Sequence, residues 1–202
     1  MSSFEADIIV GTALLNMYGK CGALEDACRV FDNHLSLRDT IAWTIMISIY
    51  AQHGRAKESL SLFDKMRKEG VEPNEVTYIS ILNACSHSGL VDEGRQWFTS
   101  MKACGITPSV DHYNCMIDLL GRAGMMEEAE ALINEMPITP GSVTWTTILG
   151  GCRDRFDAQR GERATGNVIE IDPTSVPPYV TLSNIYSKVG KDNDLVLASS
   201  SA

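Results

Sequence analysis

The stretch Asn16-Met17-Tyr18-Gly19-Lys20-Cys21-Gly22-Ala23-Leu24-Glu25-Asp26-Ala27 decides the fold. An apolar segment ends at a glycine, the chain turns, and a segment with two early acids begins. Glycine supplies the left-handed backbone that closes a helix at little cost. The same phrase returns at His53-Gly54-Arg55-Ala56, at Ser88-Gly89-Leu90-Val91-Asp92-Glu93-Gly94 and at Ala123-Gly124-Met125-Met126-Glu127-Glu128-Ala129. The turn glycines at 22, 54, 89 and 124 lie 32, 35 and 35 residues apart. A fixed period of this length marks stacked helix–turn–helix units, each of which needs neighbours to bury its apolar face.

Columns counted from the turn glycine support that register. Five residues on stand Ala27, Ser59, Gly94 and Ala129, all small, as a close helix crossing requires. Nine on stand Phe31, Phe63, Phe98 and Ile133, and twelve on stand His34, Met66, Met101 and Met136. These columns predict core packing. Gly70-Val71-Glu72-Pro73-Asn74, Gly105-Ile106-Thr107-Pro108-Ser109 and Pro137-Ile138-Thr139-Pro140-Gly141 end second helices, because proline cannot continue one and the residue before it avoids helical backbone.

The expected class is all-α, a right-handed superhelical solenoid of helix–turn–helix repeats. The expected units are 8–39, 40–74, 75–109, 110–141, a degraded 142–175 and a truncated 176–202. In the fifth unit Phe156 stands where the turn glycine should be, and Gly166 weakens the second helix. The sixth unit leads to a turn at Gly190, after which only Leu195-Val196-Leu197 remains for a second helix and the tail is expected to fray.

Apolar residues make up 44% of the 202, enough for a continuous core, and strand signals are poor. No apolar run approaches the roughly 18 residues of a membrane span. Met1–Asp7 reads neither as a signal peptide nor as a transit peptide, and the sequence opens close to a repeat boundary, as a piece of a longer protein would. The six cysteines form no C-x-x-C pair and are expected to be reduced core thiols. No phosphate-binding loop, H-E-x-x-H, G-x-S-x-G or zinc-deaminase signature is present, so neither catalysis nor a metal or other cofactor is expected.

The phrases Leu14-Leu15-Asn16-Met17-Tyr18-Gly19-Lys20-Cys21-Gly22, Tyr50-Ala51-Gln52-His53-Gly54-Arg55, Leu82-Asn83-Ala84-Cys85-Ser86-His87-Ser88-Gly89 and Met116-Ile117-Asp118-Leu119-Leu120-Gly121-Arg122-Ala123-Gly124 resemble plant pentatricopeptide repeat proteins of the PLS subclass. Leu149-Gly150-Gly151-Cys152-Arg153, Ile169-Glu170-Ile171-Asp172-Pro173 and Tyr179-Val180-Thr181-Leu182-Ser183-Asn184-Ile185-Tyr186 resemble that subclass's E motifs. The resemblance implies short, 35-residue, long and short repeats followed by two E-like units.

It also implies a function. In such proteins one repeat reads one RNA base through the fifth residue of its first helix and its last residue. Carried over, the pairs are Thr12 with Asp39, Thr44 with Asn74, Ile79 with Ser109, and Asn114 with Gly141. They resemble a guanine reader, an adenine reader, a non-coding pair and a pyrimidine reader, giving 5′-G-A-N-(pyrimidine)-3′. Ile9, Ile41 and Val76 match the aliphatic residues that flank bases, whereas Asp111 does not. Lys20 and Arg122 match a basic position that approaches phosphate, which Gln52 and His87 share. The expected partner is single-stranded RNA, in an organellar C-to-U editing or RNA-processing factor that recruits a deaminase in trans, through a deaminase-domain protein or a MORF/RIP-type cofactor. The compartment implied is mitochondrial or plastid. Against this stands a net charge of −9. The acids Glu25, Asp26, Asp92, Glu93, Glu127, Glu128 and Glu130 fall on second helices, expected to face outward. The alternative reading is a protein–protein interaction scaffold with little RNA affinity of its own.

Overall fold

A computed structural model describes the backbone of residues 3–34 and 38–200 and the side chains of 8–33 and 38–190. The described residues are helical throughout, with no strand. The chain forms two compact units, Met1–Pro108 and Ser109–Ala202.

The first unit holds three helix pairs: α1 (Ser3–Cys21) with α2 (Leu24–Arg29), α3 (Thr40–Gln52) with α4 (Ala56–Lys68), and α5 (Glu75–Ser88) with α6 (Val91–Ala103). Helix α2 widens into a π-helical turn over Val30–His34. The second holds α7 (Val110–Ala123) with α8 (Met126–Asn134), α9 (Ser142–Arg155) with α10 (Ala158–Ile171), and α11 (Pro177–Ser200). Within each unit the first helix of a pair packs on the first helix of the next: α1 on α3 on α5, and α7 on α9 on α11.

The turn glycines close their helices in one way. Gly22, Gly54, Gly89 and Gly124 all have positive φ. In each case the following amide donates to a carbonyl five residues back: Ala23 to Tyr18, Arg55 to Tyr50, Leu90 to Cys85, Met125 to Leu120. The fifth turn repeats this without a glycine. Phe156 adopts φ 56, and Asp157 N–H donates to Cys152 at 3.0 Å. The pattern that looks broken in sequence is intact in backbone geometry, at the cost of a left-handed L-residue, about 1 kcal/mol or more. The Phe156 ring is 43% exposed, so little packing offsets that cost. Phe156→Gly should therefore raise stability by about 1 kcal/mol and the melting temperature by about 2–4 °C. An unchanged or lower melting temperature would show the ring to be anchoring the turn.

The sequence columns are the core. Ala27, Ser59 and Ala129 have no exposed surface, and Gly94 is buried. Phe31, Phe63, Phe98 and Ile133 are each at most 8% exposed, and Met66 and Met101 are fully buried. Met136 is half-buried, and His34 lies outside the described side chains. Ser59 hydroxyl donates to Ile47 O at 3.0 Å, which lets a polar residue sit at the crossing of α4 on α3. Trp43, fully buried, meets Phe31 edge-on at 5.0 Å, and Phe63 meets Tyr78 and Trp97 likewise at 5.6 and 5.0 Å.

Three expectations are corrected. Helix α1 begins at Ser3 rather than near Ile8. Gly190 is not a turn: it lies inside α11, since a glycine mid-helix costs only about 1 kcal/mol. The side chains of Leu195-Val196-Leu197 lie outside the described residues. Cys85, Cys115 and Cys152 are buried thiols, pushed up to about 12 by burial, but Cys21 and Cys104 are exposed because they sit at helix ends beyond the packed face. None of the second-helix acids is buried, and Glu127 and Glu130 are ion-paired as well. Arg160 on α10 donates to Asp157 and reaches Glu127 and Glu130 on α8, and Arg163 reaches Glu130 at 2.6 Å. Hydrogen bonds donated to these carboxylates, to Asp157 foremost, raise the Arg160 pKa further.

Candidate nucleic-acid interface

The first helices start on their caps. Asp39 caps α3, accepting Ala42 N–H at 2.8 Å, and Asn74 caps α5, accepting Thr77 N–H at 3.0 Å. Ser109 and Gly141 hold the cap positions of α7 and α9 in extended backbone. All four last-residue positions are thus N-caps. Three carry the short polar side chains that satisfy helix-end amides, and Gly141 brings no side chain at all.

In the first unit several predicted residues converge. A groove of about 250 Å³ is lined by Asn16 and Lys20 of α1, by Thr44, Ser48 and Gln52 of α3, and by Val76 of α5. One candidate base reader, one flanking aliphatic and one cation therefore share one depression. The flanking aliphatics are conspicuous in themselves. Ile9, Ile41 and Val76 are 58%, 56% and 55% exposed although their helices are otherwise deeply packed. Burial would be the cheaper state for such side chains. Val143, 64% exposed, continues this position in the fifth unit and was not singled out from the sequence. Its register, second in α9 as Ile41 is second in α3, was the available signal. Asp111 takes that place in α7 and is exposed.

The reader pairs differ in how they are joined. Thr44 is 6% exposed, and its hydroxyl lies 2.6 Å from that of Thr77. Thr77 in turn donates to Asn74 Oδ1 at 3.0 Å and accepts Asn74 N–H at 3.2 Å. Thr44 and Asn74 are thus brought together through a third residue. Asn114, half-buried, accepts the Thr144 hydroxyl at 2.8 Å, and Thr144 follows Gly141 by three residues as Thr77 follows Asn74. Ser109 is joined to His112, the residue at the same offset, through Nδ1 at 2.8 Å. Thr12 is not joined to Asp39. Ala42 stands at that offset and has no hydroxyl, so Thr12 donates back to Ile8 O at 2.7 Å. Ile79 is half-buried and has no polar atom to offer.

The electrostatics are mild. Helix α3 carries no charged side chain. Lys20 is exposed and makes no ion pair with a described residue, whereas Arg122 is held by Asp118 at 2.9 Å. No group of three His, Cys, Asp or Glu among the described residues is placed to hold a metal ion.

Helix pairs of one period define a helical-repeat protein; α1, α3, α5 and α9 each expose one aliphatic near the start, and α7 exposes Asp111 there. Two family descriptions match: PPR repeat family over residues 38–87 and 108–154, and PPR repeat over 12–33 and 76–106. Together they cover more than half of the chain, which belongs to the pentatricopeptide repeat family. A mitochondrial pentatricopeptide repeat-containing protein of Arabidopsis thaliana is 47% identical over 189 residues, 93% of this chain and 30% of that protein. A chloroplastic one from the same plant is 46% identical over 183 residues, 90% of this chain and 21% of the relative. The chain thus spans about a quarter of the length of such relatives. Among solved structures, the pentatricopeptide repeat protein PPR10 from maize is 28% identical with a TM-score of 0.74, over 94% of this chain and 28% of that one. PPR10 in complex with an 18-nt psaJ RNA element aligns with a TM-score of 0.80 at 21% identity, over 90% and 28%, a likeness of fold.

Proposed function

We propose that this chain is a sequence-reading segment for single-stranded RNA within a longer protein. The observation that carries the reading is the groove that unites Lys20, Thr44 and Val76, with Asn74 joined to Thr44 through Thr77. Each repeat takes one base between exposed aliphatics and tests its edge with the reader pair. The order is guanine at Thr12 with Asp39, adenine at Thr44 with Asn74, no choice at Ile79 with Ser109, and a pyrimidine at Asn114 with Gly141. Gly141 has no side chain, so uracil and cytosine are not separated there.

The finer assignment follows the same reading. Repeats 8–39 to 110–141 are short, 35-residue, long and short members of the PLS subclass. The E-like units, 142–175 and from 176, dock a deaminase-domain protein or MORF/RIP-type cofactor for C-to-U editing. The relatives' mitochondrial and chloroplastic names support an organellar setting. The scaffold reading draws on the net charge of −9 and on Ile171, Val176, Tyr179, Val180 and Tyr186, all large apolar residues exposed in the second unit.

Fluorescence anisotropy with a short strand containing G-A-N-U separates the two. Of the two candidate phosphate contacts, Lys20 makes no ion pair with a described residue and Arg122 is shared with Asp118, so few counterions are released. The log–log salt slope should be shallow, about −1 to −2, at about −0.7 per phosphate contact on single strands. The matched strand should bind more tightly than a scrambled one. Equal binding of both, or none at low salt, would leave the scaffold reading.

A further inference from the structure

The third residue of a first helix has no part in the two-residue reading, yet it touches both readers. We infer that Thr77, and Thr144 in the second unit, are positioning residues that set the donor and acceptor polarity of the readers and hence base choice. This rests on the base-reading proposal above and goes beyond it.

A threonine hydroxyl has one proton and two lone pairs. Thr77 gives its proton to Asn74 Oδ1 at 3.0 Å. One lone pair takes Asn74 N–H at 3.2 Å. The remaining one faces the Thr44 oxygen at 2.6 Å, so the proton in that contact comes from Thr44. Thr44 is then a donor inward, and only its lone pairs are left for a ligand. Asn74 is fixed in the same way. Its Oδ1 is occupied by the Thr77 amide and hydroxyl, each at 3.0 Å, and a backbone N–H cannot do otherwise than donate. What Asn74 has left is the Nδ2 donor. The joined pair offers one acceptor and one donor. Adenine presents a donor at N6 beside an acceptor at N1, and guanine reverses that order with O6 and N1–H. A pair of fixed polarity can tell these two purines apart, whereas a freely rotating hydroxyl serves either.

The second unit shows the same device with one partner fewer. Thr144 has no exposed surface and donates to Asn114 Oδ1 at 2.8 Å, which leaves Asn114 the Nδ2 donor. A donor suits O2, which uracil and cytosine share. In the first pair Ala42 stands at this offset, and Thr12 spends its proton on Ile8 O instead.

The test uses the whole 202-residue chain, single-stranded probes G-X-N-U with X varied, and G-A-N-Z strands with the fourth base Z varied. The wild type should prefer adenine over guanine at X. Thr77→Val keeps the shape and removes the hydroxyl, and the adenine-to-guanine ratio of affinities should fall about fivefold, as one hydrogen bond implies. Thr77→Ser should restore it. Thr144→Val should leave X unaffected and weaken the preference for pyrimidine at the fourth base. A folding defect alone would lower affinity for every probe equally. If the wild type discriminates and Thr77→Val keeps the full ratio while losing affinity uniformly, the inference is overturned and the base-reading proposal stands. A wild type that binds all four probes alike overturns both.

Discussion

Replacing Gly151 with leucine should destabilise the second unit by about 3 kcal/mol or more, a large share of the roughly 5–15 kcal/mol that holds a domain together. Helices α7 and α9 cross where Gly121 and Gly151 face each other. A Cβ on Gly151 would stand 3.2 Å from Gly121 Cα and 3.1 Å from Met126 Sδ. The first of these is backbone, which cannot swing aside. A leucine has three further carbons to place, so the two helices must separate. Leu119, Leu149 and Cys152, each at most 1% exposed, would lose the contacts that bury them. The neighbouring glycine is the control. A Cβ on Gly150 meets nothing within 4 Å, so Gly150→Ala should gain about 1 kcal/mol of helix propensity. Urea unfolding midpoints of the two variants should move in opposite directions. A Gly151→Leu midpoint equal to the wild type would show that α7 and α9 do not need this close approach.

The crossing shows what the sequence hides. Turn glycines announce themselves because each ends an apolar run and precedes a second helix, so a period could be counted from Gly22. Gly121 and Gly151 sit inside helices, where a glycine reads only as a weak helix former. Their meeting is a fact about packing between units 30 residues apart. Phe156 was legible as a lapse in the glycine column and not as a retained turn, because an L-residue can hold left-handed backbone at a cost of about 1 kcal/mol and no local pattern announces that it does. The buried columns of Ala27, Phe63 and Met101 could be read because a solenoid repeats its core at fixed spacing.

At the interface the same division holds. The exposed aliphatics Ile9, Ile41 and Val76 follow from the family resemblance laid on the repeat register. The resemblance to a known family points to Thr44 and Asn74 as a pair. That Thr77 joins them could not be read, since a threonine three residues after an asparagine is an ordinary helix-cap partner. Its second role needs Thr44, which reaches it from the preceding helix pair across a hydroxyl–hydroxyl contact of 2.6 Å. The lack of charge on α3 was visible in the sequence, but the pairing of Arg122 with Asp118, one helical turn apart, was not.

Asn74→Asp should move base choice at Thr44 and Asn74 from adenine to guanine without threatening the fold. Aspartate caps a helix as well as asparagine does, and it can accept the same Thr77 amide and hydroxyl. The change is confined to the outward atom: the Nδ2 donor becomes an acceptor oxygen. Guanine carries donors at N1 and N2 on its Watson–Crick edge, and the new pair then matches Thr12 with Asp39. A correctly paired edge is worth about 1–3 kcal/mol of discrimination, or roughly tenfold and upward. The most direct measurement is the ratio of dissociation constants for two single strands that differ only in adenine or guanine at the second base. The wild type should favour adenine and Asn74→Asp guanine, each by about tenfold, with melting temperatures unchanged. An unchanged ratio in a folded Asn74→Asp variant would show that Thr44 and Asn74 do not choose the base.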